Sequence, residues 1–478
     1  MNDIQQAFMY ALAFANLLSM MHLGAYIIGA NTYDILQVRK NRKQKGGAKQ
    51  PAAAPQHPLV SVVIPAHNES KVIARTLDSV RASTYDNMEV VVVDDGSTDN
   101  TDAMVRNYIA RLPLTKTSRY MAFTREREVA MTPNADRHQV RYRSTLKLGR
   151  RYVRVPTIRI RTAHVYQVNG GKAVAMNNAI RNYVRGDLVM CLDADSMIHP
   201  KAIENAVKYF ESPKVIGVAA NVRIMNGKGW LTMLQRFEHM IGYRSKKFYS
   251  LFNCEFIVGG VASTYRTEAL HDVNLYDTDT QTEDIGLSLK MLAHNGNKDK
   301  RIVYAADVVA MTEGVQTFRA LMRQRYRWKL GALQNLFKYR ALIGSTNNKK
   351  YSRTLTWYRL PMAVVSECML LIEPILFSYI IYLSIANQTI GILLGAYMTI
   401  TLYTLWNVWP DEHLSLKQKL RMSFSALIIY LLFYAMSLVQ LAAVYKAIKN
   451  HRSIFDLTRT HGTWISPARA GAAVTFSS

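Results

Sequence analysis

Two aspartates one residue apart, Asp193 and Asp195, follow an apolar run in the segment Cys191-Leu-Asp-Ala-Asp-Ser196. At the tip of a buried strand, such a pair can hold a divalent cation against a diphosphate. Carboxylate oxygens suit Mg2+ or Mn2+, ions that keep waters and bind phosphate oxygens as well. An isolated Asp-X-Asp is more commonly a solvated turn, so its meaning depends on its company. Asp94-Asp95-Gly96-Ser97 closes a second β-branched run, and Pro65-Ala-His-Asn-Glu69 follows a third. Lys172 comes directly after Gly170 and Gly171 and opens a helical pattern, a suitable place for an anion, or else for a plain exposed lysine. Asp284 follows Thr282 and Glu283 and precedes a helical run from Ile285 to Leu292; read alone, it is a helix N-cap. Gln324 and Trp328 stand four apart on a predicted helix and share a face. There an aromatic ring could stack on a sugar and the arginines Arg325 and Arg327 could grip phosphate oxygens, or Trp328 could anchor an amphipathic helix at a membrane interface.

The elements that must position these groups alternate in type. Leu59–Ile64, Glu89–Val93 and Leu188–Leu192 read as buried strands, and Glu69–Ser83 and Lys172–Tyr183 as helices. This alternation predicts an open, mostly parallel α/β sheet, in which ligands bind at the carboxyl ends of the strands. Both acidic clusters fall at such ends. Residues 228–252 and 315–340 place apolar residues at helical spacing among basic and aromatic ones, as in Phe318, Met322, Tyr326 and Leu330, and predict helices that either pack on the sheet or, the favoured reading beside flanking spans, lie amphipathically at a membrane surface. Between residues 116 and 161 there are 13 Lys plus Arg against 3 Asp plus Glu, a net +10. Arg151–Arg161 alternates like an edge hairpin with arginines outward. The stretch is either a contact for lipid, partner or polymer, or a solvated insertion.

The chain has 478 residues and a net charge of +26, from 60 basic and 34 acidic residues. No nucleic-acid recognition module accompanies that charge, so no nucleic-acid partner is expected. Residues 7–30, Pro361–Trp409 and Phe424–Tyr445 are nearly free of charge, and each is long enough for the roughly 20 residues that cross a bilayer. Glu367 and Glu373, inside the second stretch, are expected to face other helices or a polar channel. Basic residues from Arg39 to Lys45 favour the cytoplasmic side. The expected organisation is a transmembrane anchor over 1–38 and a basic linker over 39–58. A cytoplasmic catalytic domain follows over 59–314, then an interface helix over 315–353, a transmembrane region over 354–450 and a tail over 451–478 with a gating role. One early span plus three later ones would leave the basic residues Lys446, Lys449 and Arg452 outside. Either one apolar segment lies flat or re-enters, or residues 354–385 cross more than once. The three cysteines, Cys191, Cys254 and Cys368, match neither a disulfide framework nor a zinc pattern and are expected to be buried thiols.

Pro65–Glu69, Asp94–Ser97, Asn169–Lys172, Asp193–Asp195, Thr282–Asp284 and Gln324–Trp328, in that order, resemble the family 2 glycosyltransferases, specifically the membrane-embedded processive synthases of poly-N-acetylglucosamine, hyaluronan and cellulose. The resemblance covers residues 59–330 and, through the spans, nearly the whole chain. It implies an α/β GT-A-type domain with flanking transmembrane α-helices and amphipathic interface helices. It implies that Pro65, His67, Glu69, Asp94, Asp95, Lys172 and Asp193 bind a nucleotide-sugar. Asp193 and Asp195 would hold Mg2+ or Mn2+, and Asp284 would be the catalytic base. Glu283, Gln324, Arg325, Arg327 and Trp328 would serve the acceptor and the diphosphate. His67 stands where relatives carry an aromatic residue, and Phe252–Cys254 with Val258–Ser263 lie where relatives contact the acceptor. His461–Trp464 and Pro467–Arg469 lie where relatives have a mobile loop. The implied function is a processive, inverting transferase that extends a β-linked polysaccharide from a UDP-sugar, with UDP-N-acetylglucosamine favoured, in the cytoplasmic membrane. The implied partners are the growing glycan, membrane lipid, and a small membrane subunit or a second copy of the chain. The alternatives are a UDP-glucose-using synthase, a single-step transferase to a lipid acceptor, and a non-catalytic membrane scaffold or glycan receptor.

Overall fold

Near-continuous apolar runs build the centre of the molecule because both faces of each strand are covered. In the computed structural model, β1 (Val60–Ala66), β2 (Met88–Asp95), β6 (Arg161–Gln167) and β7 (Leu188–Cys191) lie parallel in the order β6-β2-β1-β7. The structure describes residues 24–39, 57–111, 161–225, 229–411 and 414–455, isolated helical positions at 6, 10, 21 and 22, and the short strands β3 (Met121–Ala122), β4 (Thr145–Leu148) and β5 (Arg151–Arg154). Strand β3 extends the sheet beyond β6, whereas β4 and β5 pair as a separate antiparallel hairpin within the basic segment. The rest of 116–160, most of the expected N-terminal span and linker, and the whole tail beyond residue 455, with its expected gating loop, lie outside the described residues.

On the other side of β7, antiparallel pairings join the mostly parallel order expected from the sequence. Strand β8 (Met197–Ile198) forms the far edge, and β9 (Val215–Ile224), β10 (Ser263–Arg266) and β11 (Arg301–Thr312) complete nine strands among the described residues. Strand β10 runs antiparallel to both β7 and β9, and β11 is parallel to β9. The sheet is therefore mixed. With four residues and no alternation of its own, β10 is held by its neighbours rather than by its sequence.

Helix α1 (24–39) precedes the sheet. One sheet face packs Val62, Ile64, Val90 and Val92 against α2 (Ile73–Arg81), α3 (Thr101–Ala110) and α5 (Ala202–Tyr209). The other packs Val63, Val91 and Val93 against α4 (Lys172–Asn182) and the helices that follow β10, α7 (Thr267–Asp272) and α8 (Glu283–Asn295). The buried Glu89 of β2 is satisfied by Ser61 Oγ at 2.6 Å, the Arg185 backbone N–H at 2.7 Å and the Arg161 guanidinium at 2.7 Å, as a buried charge requires.

Two long helices, α6 (Trp230–Leu251) and α9 (Phe318–Lys338), occupy the predicted amphipathic stretches. A π-helical turn (Thr354–Arg359) leads into α10 (Leu360–Ala386), then α11 (Ile390–Val408), α12 (Leu416–Lys449) and α13 (Arg452–Phe455). Residues 354–386 thus continue as one helix and do not turn back. One described stretch, Thr354–Ile372, is long and apolar enough to cross a membrane, and Phe377–Ala386 is a shorter apolar helix. Ile375, Ile385, Leu394, Leu402 and Phe424 are each more than half exposed, so α10–α12 carry an apolar face turned away from the protein. That face also explains Cys368, which is exposed on α10, whereas Cys191 and Cys254 are buried as expected.

Helix α9 meets the start of α8 at a very short separation. A Cβ on Gly331 would lie 2.4 Å from Thr282 Oγ1 and 2.7 Å from its backbone nitrogen. Asn335 Nδ2 donates to the Thr282 carbonyl and hydroxyl at 3.0 Å each, and the Gln281 N–H donates to Gln334 Oε1 at 2.9 Å. A backbone atom cannot yield as a side-chain tip can. Gly331→Ala is therefore expected to destabilise the protein by roughly 1–3 kcal/mol through overpacking, read as a lowered thermal midpoint beside wild type; an unchanged midpoint would contradict this packing.

Candidate active site

Because β6, β2, β1 and β7 are parallel, the loops that follow them share one rim, and that rim opens into a cavity of about 850 Å3. It is lined by Pro65 near the end of β1, His67 and Glu69 just after it, Asp95 at the end of β2, Lys172 after β6, and Asp193 and Asp195 after β7. Glu283 and Asp284 enter from α8, and Gln324, Arg325, Arg327 and Trp328 from α9. The structure brings together every site residue read from the sequence except Asp94. Adjacent residues on a strand point to opposite faces. Asp95 faces the cavity side, while Asp94 is fully buried beneath α3, so the nucleotide-binding role expected for Asp94 is not matched by its position.

Each neighbour's role follows from its contacts. The Asp95 carboxylate accepts from Gln167 Nε2 at 2.7 Å, the Gly170 N–H at 2.9 Å and the Gly171 N–H at 2.8 Å. It fastens the glycine pair before α4, and Gly171 has φ +88°, the left-handed region that glycine adopts without strain. His67 Nδ1 lies 2.9 Å from the Asp95 carbonyl. Asp94 accepts from the Ser97 N–H at 2.8 Å. Together with Asp102 and His164, it forms a group whose donor atoms lie within 4.8 Å of one another, a further set that could hold a metal ion. Burial raises the Asp94 carboxyl above its ordinary value and pulls the His164 imidazole down to about 4.

At the centre, Lys172 Nζ stands 2.7 Å from Asp193 Oδ1 and 3.0 Å from Glu283 Oε1. Burial opposes its charge, but Asp193, Glu283 and Asp284 outweigh burial and raise its pKa. Asp195 is buried and accepts from Ser196 Oγ at 2.9 Å and Thr312 Oγ1 at 3.4 Å. Asp193 and Asp195 offer hard carboxylate oxygens at the cavity wall, a donor set that fits Mg2+ or Mn2+. Asp284 sits in the first turn of α8, where the helix dipole favours an acid; Thr282, not Asp284, is the N-cap. Burial, then the neighbouring Glu283, push its carboxyl up to about 6, against the opposing pull of Lys172 and Arg327. A carboxylate poised near neutrality is suited to general-base work.

On α9, Arg325 is 2% exposed, lies 2.5 Å from Glu238 and stacks 4.2 Å from the Trp328 ring centroid. Glu238 engages one guanidinium nitrogen, while Nε and Nη1 of Arg325, which lines the cavity, are buried with no hydrogen-bond partner among the described residues. Gln324 Oε1 is buried with no hydrogen-bond partner among the described residues, leaving it an acceptor for a ligand. The cavity continues past Trp328 to Glu238, Glu367 and Gln440. Glu367 accepts from Lys329 Nζ at 2.8 Å, so it faces another helix as expected; the Glu373 side chain lies outside the described residues. Sequence reading missed Glu238, although it is the one acid in α6. It also gave Gly260 only a loose role. A Cβ there would lie 2.8 Å from Lys172 Nζ, 3.6 Å from Asp284 Oδ2 and 3.9 Å from Asp193 Oδ1, whereas Gly259 faces open space.

A family model described as "Glycosyl transferase family group 2" matches residues 188–442, more than half of the chain, and "Glycosyl transferase family 2" matches residues 61–128. The chain belongs to glycosyl transferase family group 2. Family membership and the mixed sheet together make the domain GT-A-like. This glycosyltransferase-family chain is 27% identical over 282 residues to poly-beta-1,6-N-acetyl-D-glucosamine synthases of Staphylococcus epidermidis and Staphylococcus aureus; the match covers 58% of this chain and 56% of the length of those relatives. Among solved structures, the Pyrobaculum calidifontis mannosyltransferase PcManGT with GDP-Man and Mn2+ is 19% identical, with a TM-score of 0.49 over 93% of this chain and 99% of that one. Staphylococcus aureus TarS with UDP-GlcNAc is 16% identical, with a TM-score of 0.34 over 59% of this chain and 71% of that one.

In wild type, kcat/KM should fall as pH drops through about 6, where Asp284 takes up a proton. Glu283→Gln removes a like charge and leaves Lys172 closer company for Asp284; both lower the Asp284 pKa, so the acid limb should move to lower pH. A limb that moves up, or stays, would contradict the assignment. Gly260→Ala should leave folding intact, because the clash is with a flexible lysine tip, yet lower kcat/KM roughly tenfold to a hundredfold by displacing Lys172. Gly259→Ala should retain activity.

Proposed function

We propose that this protein is a membrane-bound, inverting β-glycosyltransferase that extends a polysaccharide from a UDP-sugar, with UDP-N-acetylglucosamine as donor. The observation that carries the reading is the continuity of one cavity. It runs from the nucleotide-facing strand ends, past Asp284, to Trp328 and on to Glu367 of α10 and Gln440 of α12. A donor site, a base and a sugar-sized aromatic shelf in line with the apolar helices support repeated transfer with the product leaving along those helices. The poly-N-acetylglucosamine relatives and the retained acidic motifs support the choice of donor.

In this reading, His67, Glu69 and Asp95 receive the nucleoside, and Lys172 at the start of α4 turns from Asp193 toward the diphosphate. Asp193 and Asp195 would hold Mg2+ or Mn2+, which when bound offsets the charge gathering on the departing UDP. Asp284 accepts the proton of the acceptor hydroxyl as that oxygen attacks the anomeric carbon from the side opposite the leaving group, which inverts the configuration. Trp328, held from one side by Arg325, stacks on the acceptor sugar, and Gln324 hydrogen-bonds to it. The exposed apolar face of α10–α12 lies in the bilayer, with the sheet domain in the cytoplasm.

The test is UDP release and product length from purified protein with UDP-N-acetylglucosamine or UDP-glucose, in the presence of Mg2+, Mn2+ or EDTA. The expected result is an EDTA-sensitive ladder of oligomers from UDP-N-acetylglucosamine. Asp284→Asn should lower the rate by at least about a hundredfold. A single added sugar would favour a lipid acceptor over a growing chain, and a ladder from UDP-glucose alone would reassign the donor.

A further inference from the structure

Asp94 at the end of β2, Asp102 in the first turn of α3 and His164 in the middle of β6 meet on the sheet face away from the catalytic cavity. The strand period puts them there. Val90, Val92 and Asp94 share the face that α3 covers, and β6 pairs His164 with Val92 of the neighbouring strand. Asp94 is fully buried and His164 is 5% exposed, yet Asp94 Oδ2 and His164 Nε2 have no hydrogen-bond partner among the described residues. Buried polar atoms ordinarily find partners, and two orphans within one group call for a shared one. The spacing indicates its kind. His164 Nε2 stands 3.6 Å from Asp102 Oδ1, too long for a hydrogen bond. It is close to the ~3.4 Å that separates two ligands held about 2.1 Å from one tetrahedral ion. Asp94 completes the set, with all three donor atoms within 4.8 Å of one another. Burial keeps the imidazole neutral, its pKa pulled down to about 4, so no proton has to leave before it binds a metal. Arg106, half exposed, takes up part of the Asp102 charge at 3.0 Å; Asp94 forms no ion pair among the described residues.

We propose that Asp94, Asp102 and His164 form a second metal site, structural rather than catalytic, that takes Zn2+. Two carboxylates balance the charge of a divalent ion, and the imidazole selects Zn2+ over Mg2+, which prefers oxygen ligands and retained water. Asp102, partly exposed at the start of α3, gives the ion its way in. None of the three residues lines the cavity of Asp284, so the ion takes no part in sugar transfer. It clamps α3 to β2 and β6. On one side of the clamp is Asp95, which anchors the Gly170 and Gly171 N–H groups. On the other is Thr101, whose hydroxyl accepts from the Glu69 N–H at 2.8 Å. The ion thus secures the nucleotide side of the catalytic rim from behind. The inference is independent of the donor sugar and of the membrane placement proposed above.

The experiment uses the full chain carrying Asp193→Asn and Asp195→Asn, which keeps an ion at the catalytic rim out of the count. The purified protein is equilibrated with Zn2+, dialysed, and its metal content read by plasma mass spectrometry. This parent should hold about one Zn2+ per chain, and adding His164→Phe or Asp102→Asn should weaken binding at least about tenfold. Asp102→Asn changes a partly exposed side chain, so it reports on the site even where His164→Phe fails to fold. Zn2+ should also raise the thermal midpoint of the parent by a few degrees and leave that of Asp102→Asn nearly unchanged. Co2+ in place of Zn2+ should give visible absorption bands in the parent that are lost in both variants. A parent without zinc, or equal zinc content in the parent and both variants, would overturn the proposal. In that case Asp94 and His164 form a buried acid–imidazole pair that binds no metal.

Discussion

Four carboxylates, Asp193, Asp195, Glu283 and Asp284, converge at the ends of a buried sheet, and one ammonium group makes that convergence tolerable. Two like charges about 4 Å apart repel by about 4 kcal/mol at the effective dielectric of a protein surface. Lys172 spans Asp193 and Glu283 and takes up much of that repulsion. It reaches them because α4 starts directly after Gly170 and Gly171, whose backbone N–H groups Asp95 anchors. Gly260 then leaves the space into which the lysine tip extends. Remove the bridge and the acids can no longer all stay ionised; Asp284, already near 6, would be the first to take a proton. In the proposed reaction a metal ion and a diphosphate would enter beside this bridge and meet the same electrostatic demand that Lys172 meets here.

Helix α9 is the second organiser. Its C-terminal half grips the loop before Asp284 through Gly331, Gln334 and Asn335. Its N-terminal half presents Gln324, Arg327 and Trp328 to the same cavity. Asp284 on α8 and Trp328 on α9 are therefore held relative to each other by the packing of one helix on the start of the other. The buried Arg325–Glu238 pair fixes α9 to α6. Breaking one partner of such a pair typically costs about 3–5 kcal/mol, whereas replacing both is far milder, so the pair specifies the seating of the helix more than it adds stability. Through α12, which lies along α9, that seating extends to the apolar helices.

A second cavity, of about 990 Å3, lies behind the first, and His239 and Tyr243 of α6 line both. His239 is held at neutral charge by burial, its pKa pulled down to about 4, and it lies 3.3 Å from the Val222 carbonyl of β9. A wall made of a neutral imidazole and a tyrosine transmits packing rather than charge.

Much of this architecture is legible in one dimension. Strand β2, Met88-Glu-Val-Val-Val-Val-Asp-Asp95, is buried along all eight residues and carries its strand assignment in composition, because a strand covered on both faces accommodates so many β-branched residues in a row. Turn residues at the strand ends located the rim, and six short motifs in order identified the family. Other features exist only once the elements pack. The charge of Glu89 inside that strand is tolerated because Ser61, Arg161 and Arg185 come from elsewhere to satisfy it. Whether Asp94 or Asp95 faces the cavity depends on which sheet face each helix covers, and strand period alone cannot say. Strand β10 pairs antiparallel because its neighbours offer free edges, not because its four residues favour a strand. Glu238, Gly260 and Gly331 matter through atoms distant in sequence, and Arg325 is seated between Glu238 and Trp328 only once α9 packs on α6. Periodicity and chemical type are local properties of a chain; the direction in which a side chain points, and what it meets there, is a property of packing between elements.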